Sequence, residues 1–211
     1  MYNRKDLLGL RDLSADEIMT ILNTAKEMKA KIDNPSLRDD SLSKSSIVTL
    51  FYENSTRTKM SFMLAGDYQG AIVKDLGVAT SSVSKGESLV DTGVTLDQMG
   101  INIMIIRHQM TGAAHLLAKN VKASVVNAGD GSNEHPTQAL LDLFTIMEKK
   151  GSFEGLKVVI LGDISHSRVA RSNAFGLTKL GAKVTLAGPS TLVSNSMKSL
   201  GVEVETDIPK A

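Results

Sequence analysis

Two hydrophobic rhythms alternate along the chain: short continuous apolar runs, and longer stretches in which apolar residues recur every three or four positions. Ile18, Ile21, Leu22, Ala25 and Met28 have the second rhythm, which predicts an amphipathic helix. Ser14 and Glu17, three residues apart, form a capping box at its start, and Asn34-Pro35 ends it. An apolar run at 47–52 predicts a buried strand, and a helical pattern over 56–69 follows, stopped by Gly70. A short strand is expected from Ala71 to about Gly77. The small, polar stretch 80–88 reads as a surface loop. The spacing then predicts a helix over 88–99 with Leu89, Val94, Leu96 and Met99 inward. The run 101–106 suits a parallel strand covered on both faces. A short helix at 113–119, a strand at 123–127 and a helix at 136–149 complete this half. Ala128-Gly129-Asp130-Gly131, between the last two, reads as a glycine-bearing turn. Beyond Lys149-Lys150-Gly151 come a strand at 156–161, a helix at 168–180 and a strand at 183–187. Met197, Leu200, Val202 and Val204 suggest one more helix–strand step.

Strands that alternate with helices imply an α/β protein built on parallel sheets. The expectation is two doubly wound domains, residues 1–150 and 151–211. The second has only about 60 residues, too few for a comfortable core of its own, and reads as incomplete.

Composition narrows the function classes. With 24 basic and 23 acidic residues, the net charge is +1, so no broad attraction to nucleic acid or to a membrane surface follows. Cysteine is absent, which excludes disulfides, thiolate metal sites and thiol nucleophiles, and fits a reducing cytoplasm. Residues 1–13 are charged throughout, unlike a signal peptide, and no apolar stretch is long enough to span a bilayer. No spacing of His and acidic residues suggests a metal site, and no cofactor is implied. A dinucleotide site at Gly162 is disfavoured, because its turn has one glycine and the following strand ends in Gly188-Pro189 rather than in an acid.

The chemistry gathers at strand ends, where open α/β sheets bind ligands. Ser55-Thr56-Arg57-Thr58 lies between a strand and a helix, and a helix N-terminus favours a phosphate-like anion. Arg57 adds a planar fork of donors. Arg107 and His108 end another strand, His135 and Gln138 open the helix after a third, and Arg168 opens the helix after a fourth. Lys85, on the polar loop, is a cation for the same ligand. This basic, hydrogen-bonding set suits charge stabilisation and orientation of small anions.

The residues also resemble a known family. The stretches 51–59 (Phe-Tyr-Glu-Asn-Ser-Thr-Arg-Thr-Lys), 81–88 (Ser-Ser-Val-Ser-Lys-Gly-Glu-Ser), 106–108 (Ile-Arg-His), 127–131 (Asn-Ala-Gly-Asp-Gly), 135–142 (His-Pro-Thr-Gln-Ala-Leu-Leu-Asp) and 162–172 (Gly-Asp-Ile-Ser-His-Ser-Arg-Val-Ala-Arg-Ser) are similar to the catalytic chains of the aspartate carbamoyltransferase family. Lys59, where many relatives have Arg, and Met63, where many have Glu, depart from the pattern. The resemblance implies transfer of the carbamoyl group of carbamoyl phosphate to L-aspartate, the committed step of pyrimidine synthesis. By that resemblance Ser55, Thr56, Arg57 and Thr58 hold the phosphate. Thr58, Arg107 and His135 face the carbonyl oxygen, Gln138 holds the carbamoyl amine, and Arg168 binds a carboxylate of aspartate. Lys85, with Ser82 or Ser81, would come from a neighbouring subunit of a homotrimer. Whether a regulatory chain attaches is left open.

Against that resemblance roughly a third of a two-domain chain is missing, including a second arginine for aspartate in an Arg-x-Gln-x-Glu-Arg segment. The expectation is a truncated chain that keeps most of a carbamoyl phosphate pocket, binds aspartate poorly and turns over slowly. Two alternatives remain: a non-catalytic carbamoyl-phosphate-binding fragment or subunit, and an ornithine carbamoyltransferase. The second is disfavoured by the Ser-Val-Ser-Lys-Gly-Glu loop and by Arg168, which suits a dicarboxylate.

Overall fold

The computed structural model describes residues 3–77 and 86–211. They form two compact units, one of Asn3–Leu8 and Ala25–Gly131, the other of Gly9–Thr24 and Ser132–Ala211. Helix α1 (Ala15–Asp33) starts on the expected capping box: Glu17 N–H donates to Ser14 Oγ at 3.1 Å and Ser14 N–H to Glu17 Oε2 at 2.7 Å.

The first unit holds a four-stranded sheet in the order β2-β1-β3-β4, made of β1 (Ser46–Phe51), β2 (Ile72–Leu76), β3 (Ile103–His108) and β4 (Ser124–Asp130). All its pairings are parallel. Three helices connect the strands: α2 (Thr56–Asp67), α3 (Leu89–Gln98) and α4 (Ala113–Asn120). One face of the sheet buries Val48, Leu50, Met104, Ile106 and Val125 against Leu117 of α4. The other buries Ile47, Phe51, Ile105 and Ala128. Each large side chain buried this way contributes roughly 1.5–3 kcal/mol, which is why the central strands are apolar on both sides.

Helix α3 departs from its expected face. Val94 and Met99 are exposed, and Thr92 and Gly93 are buried instead. A methyl group on Gly93 would stand 2.2 Å from Leu117 Cδ1, so α3 packs on α4 through its smallest residue, and close approach overrides the apolar spacing. Strand β4 also runs further than expected. Ala128, Gly129 and Asp130 continue it, with a register shift between Ile106 and His108 of β3. Asn127 supports the irregularity: its Oδ1 accepts from Gly129 N–H, and its Nδ2 donates to Asp130 Oδ1, both at 2.8 Å. A bulge of this kind re-aims side chains at the end of a strand, and here it faces Arg107. Next to it the His108 ring packs on Tyr52, with ring centroids 4.5 Å apart, and His108 Nδ1 accepts from Met110 N–H at 2.8 Å.

The second unit holds a three-stranded parallel sheet in the order β5-β6-β7. It comprises α5 (Pro136–Lys150), β5 (Lys157–Leu161), α6 (Arg168–Lys179), β6 (Lys183–Ala187), a 3-10 turn (Asn195–Leu200) and β7 (Glu203–Glu205). The expected last helix is thus only that short turn. Val159 and Leu161 of β5 are 47% and 59% exposed, so one face of this sheet is bare, in keeping with a second domain that is incomplete. The segment around Gly9–Leu13 is tied to the helices by two charged groups. Lys179 Nζ donates to the carbonyls of Leu10 (2.8 Å), Arg11 and Leu13 (2.6 Å). Glu134 is almost wholly buried and accepts from Leu10 N–H at 2.7 Å, Arg11 N–H at 3.3 Å and Ser172 Oγ at 2.9 Å. Any side chain at Gly9 would collide with that carboxylate.

Glu134→Ala leaves a buried N–H and a buried hydroxyl without their acceptor. It should destabilise the chain by about 3 kcal/mol, read as a lower urea midpoint, whereas Glu134→Gln should lose less. Burial holds the His108 imidazole below its ordinary value of 6.5, with Glu53 and Asp130 opposing. The folded value is the lower one, so the stability His108 contributes is complete above pH 6.5 and is lost as pH falls through the depressed value. A ring-proton NMR titration should give a midpoint below 6.5, and His108→Phe should remove part of the acid-side loss of stability.

Candidate functional site

Helix α2 starts unlike α1 and α3. Its N-cap, Ser55, is extended and makes no side-chain cap hydrogen bond, and its first turn holds no acid. Instead that turn carries Arg57 and Lys59. By contrast α1 opens on Asp16 and Glu17, and α3 opens on Ser88, whose hydroxyl accepts from Asp91 N–H. A helix N-terminus bears partial positive charge and stabilises acids, so Arg57 there in place of an acid raises the local potential and leaves the place suited to an anion. Thr56 and Arg57 are exposed, while Ser55 and Thr58 are half-buried. The Ser55 hydroxyl is near another cation rather than capping the helix: Arg107 Nη1 lies 3.5 Å from it.

Arg107 reaches that position through the sheet. Phe51, the last residue of β1, is in register with Arg107 on β3, and Tyr52 N–H donates to the Arg107 carbonyl at 2.9 Å. The guanidinium is half-buried and donates through Nε to Glu53 Oε2 at 3.0 Å. Glu53 thus holds the fork in place and offsets part of its charge. The first unit therefore joins Ser55, Thr56, Arg57, Thr58 and Arg107 at the carboxyl ends of its two central strands, although Ser55 and Arg107 are 52 positions apart.

The second unit places His135, Gln138 and Arg168 at the N-terminal ends of two packed helices. His135 is the N-cap of α5, with Pro136 at the first helical position, and is 6% exposed. Its backbone N–H donates to Ser172 Oγ at 2.9 Å. That hydroxyl donates in turn to Glu134, so the buried carboxylate fixes the rotor that holds His135. Gln138, in the first turn of α5, donates through Nε2 to Asp142 Oδ1 at 3.0 Å, and Asp142 Oδ2 accepts from Asn173 Nδ2 at 2.7 Å. The amide oxygen of Gln138 remains as its acceptor. Arg168 opens α6, capped by Ser167, whose hydroxyl accepts from Ala170 N–H.

Lys85 and Ser82, with its alternative Ser81, lie outside the described residues. Among the described residues no cluster of three or more His, Asp or Glu is placed to hold a metal ion, and no helix is long and apolar enough to cross a membrane. The sequence reading missed Glu53, which holds Arg107, and Glu134 with Ser172, which hold His135. Glu53 stands inside the first motif, a lone acid beside a turn suited to an anion, and could have been singled out. Ser172 carries no local signal, because its partners are 37 and 38 positions away.

Residues 5–148 match the family model described as aspartate/ornithine carbamoyltransferase, carbamoyl-P binding domain. The catalytic subunit of aspartate carbamoyltransferase from Acetivibrio thermocellus is 61% identical over 207 residues, covering 98% of this chain and 66% of the relative. That from Ruminiclostridium cellulolyticum is 60% identical with the same coverage. Among solved structures, aspartate transcarbamoylase from Trypanosoma cruzi in complex with carbamoyl phosphate superposes with a TM-score of 0.87 at 30% identity, over 97% of this chain and 66% of that one. The same enzyme with carbamoyl phosphate and aspartate gives 0.87 over 97% of this chain and 70% of that one. The chain therefore spans about 66% of the length of its curated relatives. On the sequence match and the fold together, the chain belongs to the aspartate/ornithine carbamoyltransferase family.

Proposed function

We propose that this chain is the carbamoyl-phosphate-binding part, with the beginning of the aspartate-binding part, of an aspartate carbamoyltransferase catalytic chain. The proposed reaction transfers the carbamoyl group of carbamoyl phosphate to the amine of L-aspartate, giving N-carbamoyl-L-aspartate and phosphate, within pyrimidine synthesis. The observation that carries the reading is the start of α2: an N-cap hydroxyl not used for capping, a first turn with cations and no acid, and Arg107 against it from the next strand. The functional division, 1–150 for carbamoyl phosphate and 151–211 for aspartate, is drawn by ligand, whereas the compact units are drawn by packing. The cytoplasm is the proposed location and a homotrimer the proposed assembly, with Lys85 and Ser82 serving a neighbouring subunit's site.

In this reading the phosphate lies on the N-terminal N–H groups of α2, with the hydroxyls of Ser55, Thr56 and Thr58 and the fork of Arg57 around it. The aspartate amine attacks the carbonyl carbon and negative charge grows on the carbonyl oxygen. As that electron pair returns, the bond to phosphate breaks, the phosphate carries the charge away and the amine gives up a proton, which the leaving phosphate can accept. Thr58, Arg107 and His135 stabilise the first charge. Arg57, Lys85 and the helix N-terminus stabilise the second. Gln138 has its amide nitrogen engaged by Asp142, so its oxygen is the atom that accepts from the carbamoyl amine. Arg168 takes a carboxylate of aspartate. No covalent enzyme intermediate is required, because bringing two small substrates together can itself remove about 7 kcal/mol or more of barrier.

Calorimetric titration of the chain with carbamoyl phosphate should show binding, and Arg57→Ala or Arg107→Ala should weaken it by about 100-fold, in line with the loss of a charge-stabilising donor. Undiminished binding by Arg57→Ala would remove the basis of the reading. Gln138→Leu should weaken carbamoyl phosphate by about tenfold, the scale of one hydrogen bond to a neutral amide, and should leave inorganic phosphate unchanged. In a chain extended to the relatives' length, turnover with aspartate and none with ornithine is expected. The reverse result would move the assignment to the ornithine branch of the family.

A further inference from the structure

Lys59 has a partner that neither its own helix nor the substrate reading supplies. Its ammonium donates to Asp75 Oδ2 at 2.9 Å, and Asp75 Oδ1 accepts from Thr49 Oγ1 at 2.6 Å. Thr49 is completely buried in β1 and is the register partner of Asp75 on β2. One carboxylate thus joins the central strand, the edge strand and the first turn of α2. Burial raises the Asp75 carboxyl, but the hydrogen bonds from Thr49 and Lys59 outweigh it and hold the group below the usual carboxylate range. The Lys59 ammonium also lies 5.7 Å from the centre of the Phe51 ring, at the end of β1. Both sides of the anion-binding turn are therefore held: Thr49 comes two residues before the end of β1, and Lys59 is in the opening turn of α2.

Residues two apart on a helix point to opposite sides. Drawing Lys59 back onto the sheet turns Arg57 outward, and Arg57 is exposed while Lys59 is half-buried. We infer that Asp75 is a positioning residue, which sets the rotation of the first turn of α2 through Lys59 and so directs Arg57 and Thr58 toward the ligand. The inference rests on the carbamoyl phosphate reading above. It assigns Lys59 to orientation, not to charge at the ligand, although it is a cation only two residues from Arg57.

The signs of the mutational effects separate this role from the alternatives. Asp75→Asn removes a negative charge near an anion site, so through-space electrostatics alone would tighten ligand binding. Loss of orientation would weaken it. Thr49→Val changes no charge and should also weaken it. A partly exposed ion pair adds little to stability, so a merely structural role would move melting temperature without moving affinity in the folded chain. The test is calorimetric titration with carbamoyl phosphate of the unmodified chain, Asp75→Asn, Thr49→Val, Lys59→Met and Lys59→Arg, each with a melting curve. Asp75→Asn, Thr49→Val and Lys59→Met should weaken binding by about tenfold or more, as a small misplacement of binding groups does. Lys59→Arg, which keeps a cation for Asp75, should bind as the unmodified chain does. Binding by Asp75→Asn that is unchanged or tighter overturns the positioning role and leaves the carbamoyl phosphate reading standing. If the unmodified chain takes up no carbamoyl phosphate, both readings fall.

Discussion

Register between two parallel strands underlies the rest of the candidate site. Phe51 of β1 lies opposite Arg107 of β3, and the hydrogen bond from Tyr52 N–H to the Arg107 carbonyl extends that pairing past the end of the strand. A slip of one residue would turn alternate side chains to the other face and carry Arg107 away from Ser55. The register is held by burial on both faces, because Val48, Leu50, Met104 and Ile106 pack on one side while Ile47 and Ile105 pack on the other. The apolar core thus specifies where two polar segments meet.

The start of α2 breaks local rules that α1 and α3 keep. Helices α1 and α3 start on side-chain caps with acids in their first turns. Helix α2 starts with a hydroxyl that does not cap it and with cations where the dipole disfavours them. Such exceptions mark functional places, since a locally unfavourable choice persists when it serves a ligand. The offsets are carboxylates from elsewhere in the unit: Glu53 against Arg107 and Asp75 against Lys59. Arg57, exposed, is the cation presented outward.

The second unit solves a different problem with similar means. Its small sheet leaves Val159 and Leu161 exposed, and polar clamps around α5 and α6 add to the burial of Leu143, Leu177 and Leu186. Glu134 gathers two backbone N–H groups and Ser172, and Lys179 gathers three carbonyls. Because Ser172 also takes the backbone N–H of His135, the clamp that orders the segment around Gly9–Leu13 holds a proposed substrate residue as well. Stability and site geometry depend on the same buried carboxylate.

Local pattern alone determined most of the elements. The capping box at Ser14, the apolar runs of β1 and β3, the pairing of Ser55-Thr56-Arg57-Thr58 with a helix start and the glycine stop at Gly70 all depend on neighbours within a few residues, so they could be read from spacing. The face of α3 could not: Gly93 is buried because Leu117 occupies the space a side chain would need, and nothing within α3 encodes that. Nor could the run of β4 through Gly129, which depends on the Asn127 amide and on a shift against β3. Asp75 and the Ser172–Glu134 pair, which hold Lys59 and His135, were decided by tertiary structure alone. A hydrogen bond between side chains tens of positions apart leaves no periodic trace in sequence, whereas burial and backbone pairing repeat at every second or fourth residue.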